Sequence, residues 1–112
     1  MYLKRNRALL WLVPEFVAEV SAALSSVGRG DLAPQLEAGI IERCTYDLEI
    51  DAGYIYLVRP RPSWYFEKLA APVAETLPFD GFNVDIDHDA HLFGIELLGR
   101  SEVFAKLRVA DR

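Results

Sequence analysis

The chain has 112 residues, 52% hydrophobic and 26% charged, which suits one folded domain and excludes disorder as its main state. Twelve basic against 17 acidic residues leave a net charge of −5, the wrong sign for a duplex-binding face that neutralises phosphates. A single cysteine, Cys44, excludes an internal disulfide framework.

The basic clusters "LKRNR" (3–7) and "RPR" (59–61) read as solvated charge, so no nucleic-acid partner is expected. The apolar run "ALLWLV" reaches only Val13 before Pro14 and Glu15. A spanning helix takes roughly 20 apolar residues, and a signal peptide a longer apolar region with a small-residue cleavage site. The expectation is a cytoplasmic protein with no membrane partner.

In chain order, residues 8–12 read as a short strand. A helix over 14–27 follows: Pro14 suits its first turn, Glu15 the positive helix end, and Phe16, Val17, Val20, Leu24 and Val27 recur at helical spacing. Gly28 and Gly30 stop it. Asp31 is a candidate N-cap for a shorter helix in "LAPQLEA". From residue 40 the period changes from helical to alternating. "IIERCTYDLEI" and "AGYIYLV" read as two strands joined by a turn rich in Asp and Gly. "RPRPSWYFEKLAAP" interrupts the sheet; "VAETLPF", "FNVDID" and "HLFGIELLG" read as three more strands. Ser101 is a candidate N-cap for a closing helix carrying Val103, Phe104 and Leu107. The fold class is therefore α+β in one domain. Residues 1–38 form a helical N-terminal part, 40–99 an antiparallel β-meander of four to five strands, and 101–108 a closing helix, with the helix at 14–27 packed on the sheet.

The window "VDIDHDAHLFGIE" (84–96) places Asp85, Asp87, Asp89 and Glu96 at the first, third, fifth and twelfth positions of a calcium-loop template. Its flanks argue otherwise. Pro78 and Gly81 stand where an entering helix belongs, Gly99 cuts off an exiting one, and Ala90 occupies the position that takes Gly for its bend. Strand alternation explains the same spacing, with Val84 and Ile86 inward and Asp85 and Asp87 outward. No metal or other cofactor is expected; if a metal binds, Asp85, Asp87, His91 and Glu96 are its ligands, meeting across the hairpin.

Two blocks, "YDLEIDAGYIYL" (46–57) and "VAETLPFDGFNVDIDHDAHLFGIELLG" (73–99), resemble the small bacterial domain-of-unknown-function family 2283. Tyr46, Asp47, Glu49, Asp51, Ala52, Tyr54, Ile55 and Leu57 match the first part of its signature. Asp85, Asp87, Gly94, Ile95, Glu96 and Leu98 match the second. The chain departs from it at Ala90 and His91, where the family usually has Gly, and in a longer 59–72 segment. The resemblance implies a β-rich domain without an assigned activity, and an antitoxin or accessory role by association with small toxin-like proteins. It carries over no catalytic residue.

Among the remaining candidates, Asp47, Glu49 and Asp51 read as turn-fixing residues. Glu96 needs a partner such as Arg43, Tyr46 or His91 if its face is covered. Cys44 reads as a small, half-buried apolar side chain. The serines lack a nucleophile elbow, and "GRG" (28–30) is too short to cradle a phosphate. Arg61, Trp64, Tyr65 and Phe66, with Trp11, are of the residue types that dominate interfaces. The sequence thus reads as a non-enzymatic binding or accessory module, homodimeric, whose acidic charge suits a small basic protein partner such as a toxin. The alternative is a small metal-binding protein or enzyme using residues 85–96.

Overall fold

The computed structural model describes residues 7–59 and 72–110, with side chains as far as Arg108. Six antiparallel strands form one sheet: β1 (Arg7–Ala8), β2 (Ile40–Asp47), β3 (Ala52–Leu57), β4 (Val73–Pro78), β5 (Phe82–Asp87) and β6 (Leu92–Leu98). Among the described residues four helices accompany it: α1 (Leu9–Leu12), α2 (Pro14–Ser26), α3 (Ala33–Glu37) and α4 (Ser101–Ala110). The architecture is α+β, with one strand more than expected.

That extra strand takes up only the start of the stretch expected to be extended. Residues 8–12 are expected to be extended, yet only Arg7 and Ala8 pair, with Ile41 and Ile40. Leu9 then donates its N–H to Gly39 O at 3.0 Å, and Val13 N–H returns to Leu9 O at 3.0 Å, closing a helical turn. The turn buries Leu9 and Val13, four apart, and turns Trp11 outward; a strand would have put Leu9, Trp11 and Val13 on one face.

Helix α2 is close to its expected span. It buries Phe16, Val17, Val20 and Leu24 and ends where Arg29 N–H reaches Leu24 O and Gly28 N–H reaches Ser25 O. This paired termination requires a left-handed residue at position 28, and Gly28 has φ +76°. Asp31 is not a cap. A 3₁₀ turn over Gly30–Leu32 runs directly into α3, and Asp31 instead faces Arg29 at 3.5 Å. Ser101 is the first residue of α4 rather than its cap; the N–H groups of Val103 and Phe104 point back to Arg100 O.

The strand order is β1-β2-β3-β6-β5-β4. The chain leaves the β2–β3 hairpin, re-enters at the far edge as β4 and works back through β5, so that β6 closes against β3. The meander is broken once, and the two blocks of the family resemblance become neighbours along the β3–β6 seam. One face of the sheet carries Ile41, Cys44, Tyr46, Ile55, Leu57, Phe82, Val84, Ile86, Ile95 and Leu97, all buried in one core with the helices. Phe16 of α2 meets Phe82 edge to face at 5.6 Å, and Phe104 of α4 stacks on Tyr46 at 4.5 Å. Arg100 ties these layers: it binds both carboxylate oxygens of Glu19 at 2.7 and 2.9 Å, Glu102 at 2.6 Å, and lies over Phe16.

Candidate binding surface

The acidic window folds as β5, a tight turn and β6. Asp87 is 2% exposed, and its Oδ1 accepts the N–H groups of Asp89 at 2.8 Å and His91 at 3.0 Å. Asp87 N–H in turn donates to His91 O at 2.9 Å. Ala90 adopts φ +62°, a left-handed conformation that glycine enters far more readily than alanine. Gln35 of α3 clamps the turn from outside, donating from Nε2 to Ala90 O at 3.1 Å and accepting Leu92 N–H on Oε1 at 2.9 Å.

The four candidate ligands do not converge. Asp85 stands opposite Gly94 and Thr76, where it accepts the Tyr54 hydroxyl at 2.5 Å and the Thr76 hydroxyl at 2.6 Å. Glu96 stands opposite Asn83, whose amide donates to it at 2.8 Å. That amide, not Arg43, Tyr46 or His91, is its partner. Asp87 is spent inside its own turn, which His91 closes through backbone atoms. Among the described residues no group of three or more His, Cys, Asp or Glu side chains is arranged to hold a metal ion.

Asp85 belongs instead to a cluster on the sheet face opposite the core. Tyr54 pairs with Glu96, while Gly94 lies between Tyr56 and Asp85 in the next row. The Tyr54 ring lies over Gly94, in the space a Cβ there would need, and so reaches Asp85 two strands away. Burial, reinforced by the bond to Asp85, raises the Tyr54 pKa far above the ordinary phenol value, keeping its proton in place as a donor. Tyr54 packs on Tyr56 at 4.5 Å, and the Arg43 guanidinium lies 4.0 Å from the Tyr56 ring centre. Phe93 is the extra residue of a bulge between the Ile86–Leu92 and Asp85–Gly94 pairs. Its ring meets Tyr54 and Tyr56, with Arg59 4.3 Å away. This aromatic and polar layer spans β2, β3, β6 and β5.

The β2–β3 turn has a different character. Asp47 Oδ1 accepts Glu49 N–H at 2.9 Å, the turn-fixing bond expected of Asp. Asp51 takes φ +49°, and its carbonyl accepts Gly99 N–H at 2.8 Å, tying the turn to the end of β6. Glu49 lends the turn its backbone N–H. Between these acidic residues Leu48 is 68% and Ile50 69% exposed, and Leu98, opposite Ala52, is exposed beside them. A second exposed apolar group, Trp11 at 86%, stands on α1.

Cys44 is fully buried, and burial pushes its thiol up to about 12; a thiol so placed is inert as a nucleophile. Arg61, Trp64, Tyr65 and Phe66 lie outside the described residues. The Tyr54–Asp85–Thr76 cluster and the Gln35 clamp were missed by sequence reasoning. Gly94 inside a strand was the one signal for the first, since a strand glycine marks close approach. Compared with known proteins, no family model, no curated protein and no solved structure matches this chain.

Proposed function

We propose that this domain is a non-enzymatic binding module that engages a basic protein partner through the tip of the β2–β3 hairpin. The supporting observation is the pattern Asp47-Leu48-Glu49-Ile50-Asp51, in which two exposed aliphatic side chains alternate with three acidic residues on a turn held by its own hydrogen bonds. Exposed aliphatics on an ordered tip gain about 1.5–3 kcal/mol each on burial, before the costs of association. The carboxylates around them select a cationic surface and speed its approach. Neutralising a small basic toxin is the biological setting we propose, in keeping with the family resemblance of residues 46–57 and 73–99. Trp11 is the contact we propose for a homodimer.

The test is quantitative capture from the native host with two baits, the native chain and the Leu48→Ser/Ile50→Ser double variant. A basic protein retained by the native bait and reduced at least tenfold on the variant supports the reading. Equal recovery on both baits overturns it.

A further inference from the structure

The β2–β3 tip is one part of a longer ordered surface at the same end of the sheet. The last residues of β6 join the two turns found there. Gly99 N–H donates to Asp51 O at 2.8 Å, and Leu98 N–H donates to Gly81 O at 2.9 Å. The β4–β5 turn is closed by Phe79 N–H on Phe82 O at 2.9 Å, and Gly81 takes φ +82° within it. Leu98, 42% exposed, therefore lies between the turns, with Leu48 and Ile50 on one side and the exposed Asp80 on the other. Three exposed aliphatic side chains are thus flanked by carboxylates, Asp47 and Glu49 at one end and Asp80 at the other. From β2 to β4 this end of the sheet crosses four strand spacings, about 19 Å.

Resting on the reading of the tip as a contact for a basic protein, we infer that the whole sheet end docks a basic amphipathic helix of that partner. A helix rises 1.5 Å per residue, so about 13 residues cross the surface. Its apolar stripe covers Leu48, Ile50 and Leu98, and its Lys or Arg residues meet Asp47, Glu49 and Asp80. The backbone disfavours a partner strand. Strand addition needs an open sheet edge, whereas here the N–H groups of Glu49, Phe79, Leu98 and Gly99 are spent within and between the two turns. Charge disfavours a second copy of this chain. Arg29, Arg59, Arg100 and Lys106 already face Glu75, Glu42, Glu19 and Glu15, and with a net charge of −5 a second copy brings more acid than base.

The experiment is an amide-resolved NMR titration of the native protein with three synthetic peptides of about 18 residues, long enough to hold a helix. One arranges Lys and Leu with the helical period. The second alternates the same Lys and Leu residues with the strand period, and the third is the helical design with Glu in place of Lys. The helical Lys/Leu peptide should shift Leu48, Ile50, Gly81 and Leu98 together and saturably, and bind at least tenfold tighter than the alternating peptide. The Glu/Leu peptide should leave these amides unmoved. Asp80→Lys and Leu98→Ser, both at exposed positions, should each weaken the helical Lys/Leu peptide about fivefold. Equal affinity for the two Lys/Leu peptides, shifts confined to residues 47–51, or no saturable binding of the helical Lys/Leu peptide would each overturn the inference. None of these three outcomes depends on a variant folding. The reading of the tip stands or falls separately, on capture with the Leu48→Ser/Ile50→Ser bait.

Discussion

Removing a single oxygen tests whether the face opposite the core is held by the cluster around Asp85. Tyr54→Phe leaves the ring against Tyr56, Phe93 and Gly94 but deletes the hydroxyl that donates to Asp85 at 2.5 Å. A hydrogen bond to a charged acceptor contributes about 1.5–3 kcal/mol. Asp85 is half-buried and keeps the Thr76 hydroxyl at 2.6 Å, so water replaces part of what is lost and about 1.5–2 kcal/mol is expected. For a domain of this length that lowers Tm by roughly 6–10 °C. Thr76→Val, at an exposed edge position, should cost about 1 kcal/mol. The double variant should lose more than the sum, because the carboxylate is then stripped of both hydroxyl donors. Urea denaturation read by fluorescence and circular dichroism, with m-values compared, gives all three numbers. A Tyr54→Phe effect below about 0.5 kcal/mol, or strict additivity with Thr76→Val, would refute the cluster as a stabilising unit.

Other outcomes follow from single features. Gly94→Ala places a Cβ against both the Tyr54 ring and the Ile55 carbonyl and should cost more than 3 kcal/mol. Gly28→Ala meets open space and is opposed only by φ +76°, about 1 kcal/mol; thermal melts should rank them in that order. Cys44 should react with a disulfide reagent at pH 8 only as fast as the protein unfolds, since its thiol is buried and pushed up to about 12. The Glu102 carboxyl is held below its usual value mainly by the Arg100 hydrogen bond. Its contribution is therefore present above the unfolded-state pKa near 4.5 and fades as pH falls through the lower folded value. An Arg100→Ala variant should flatten that part of the stability–pH profile, and an unchanged acid limb would count against the bond. If Trp11 carries the homodimer contact, sedimentation velocity should show Trp11→Ser shifting dimer to monomer; a monomeric native protein would refute that contact.

What sequence could and could not show follows from the range of the forces involved. The helix at 14–26 and the strands from residue 40 onward were legible because burial on one side writes its period into the chain. Residues 8–12 were not, because one helical turn is too short for a period; the Leu9–Gly39 hydrogen bond, 30 positions apart in sequence, decides it. The crossing from β3 to the far edge was likewise invisible, since alternation fixes faces but not strand order.

The acidic window shows the same limit at the level of chemistry. Asp85, Asp87 and Asp89 are spaced by two, which is both the strand period and the spacing of the first calcium ligands in the loop template. Spacing alone cannot separate the two, because it gives neither direction nor partner. In the fold, Asp85 meets Tyr54 across Gly94 on one side and Thr76 of β4 on the other, whereas Asp87 is folded into its own turn. Two carboxylates separated by one residue thus serve different structures. One joins three strands and the other builds a turn, which α3 then clamps through Gln35. That division leaves the acidic residues at 47–51, whose intervening Leu48 and Ile50 face solvent, as the acidic stretch with apolar surface to offer a partner.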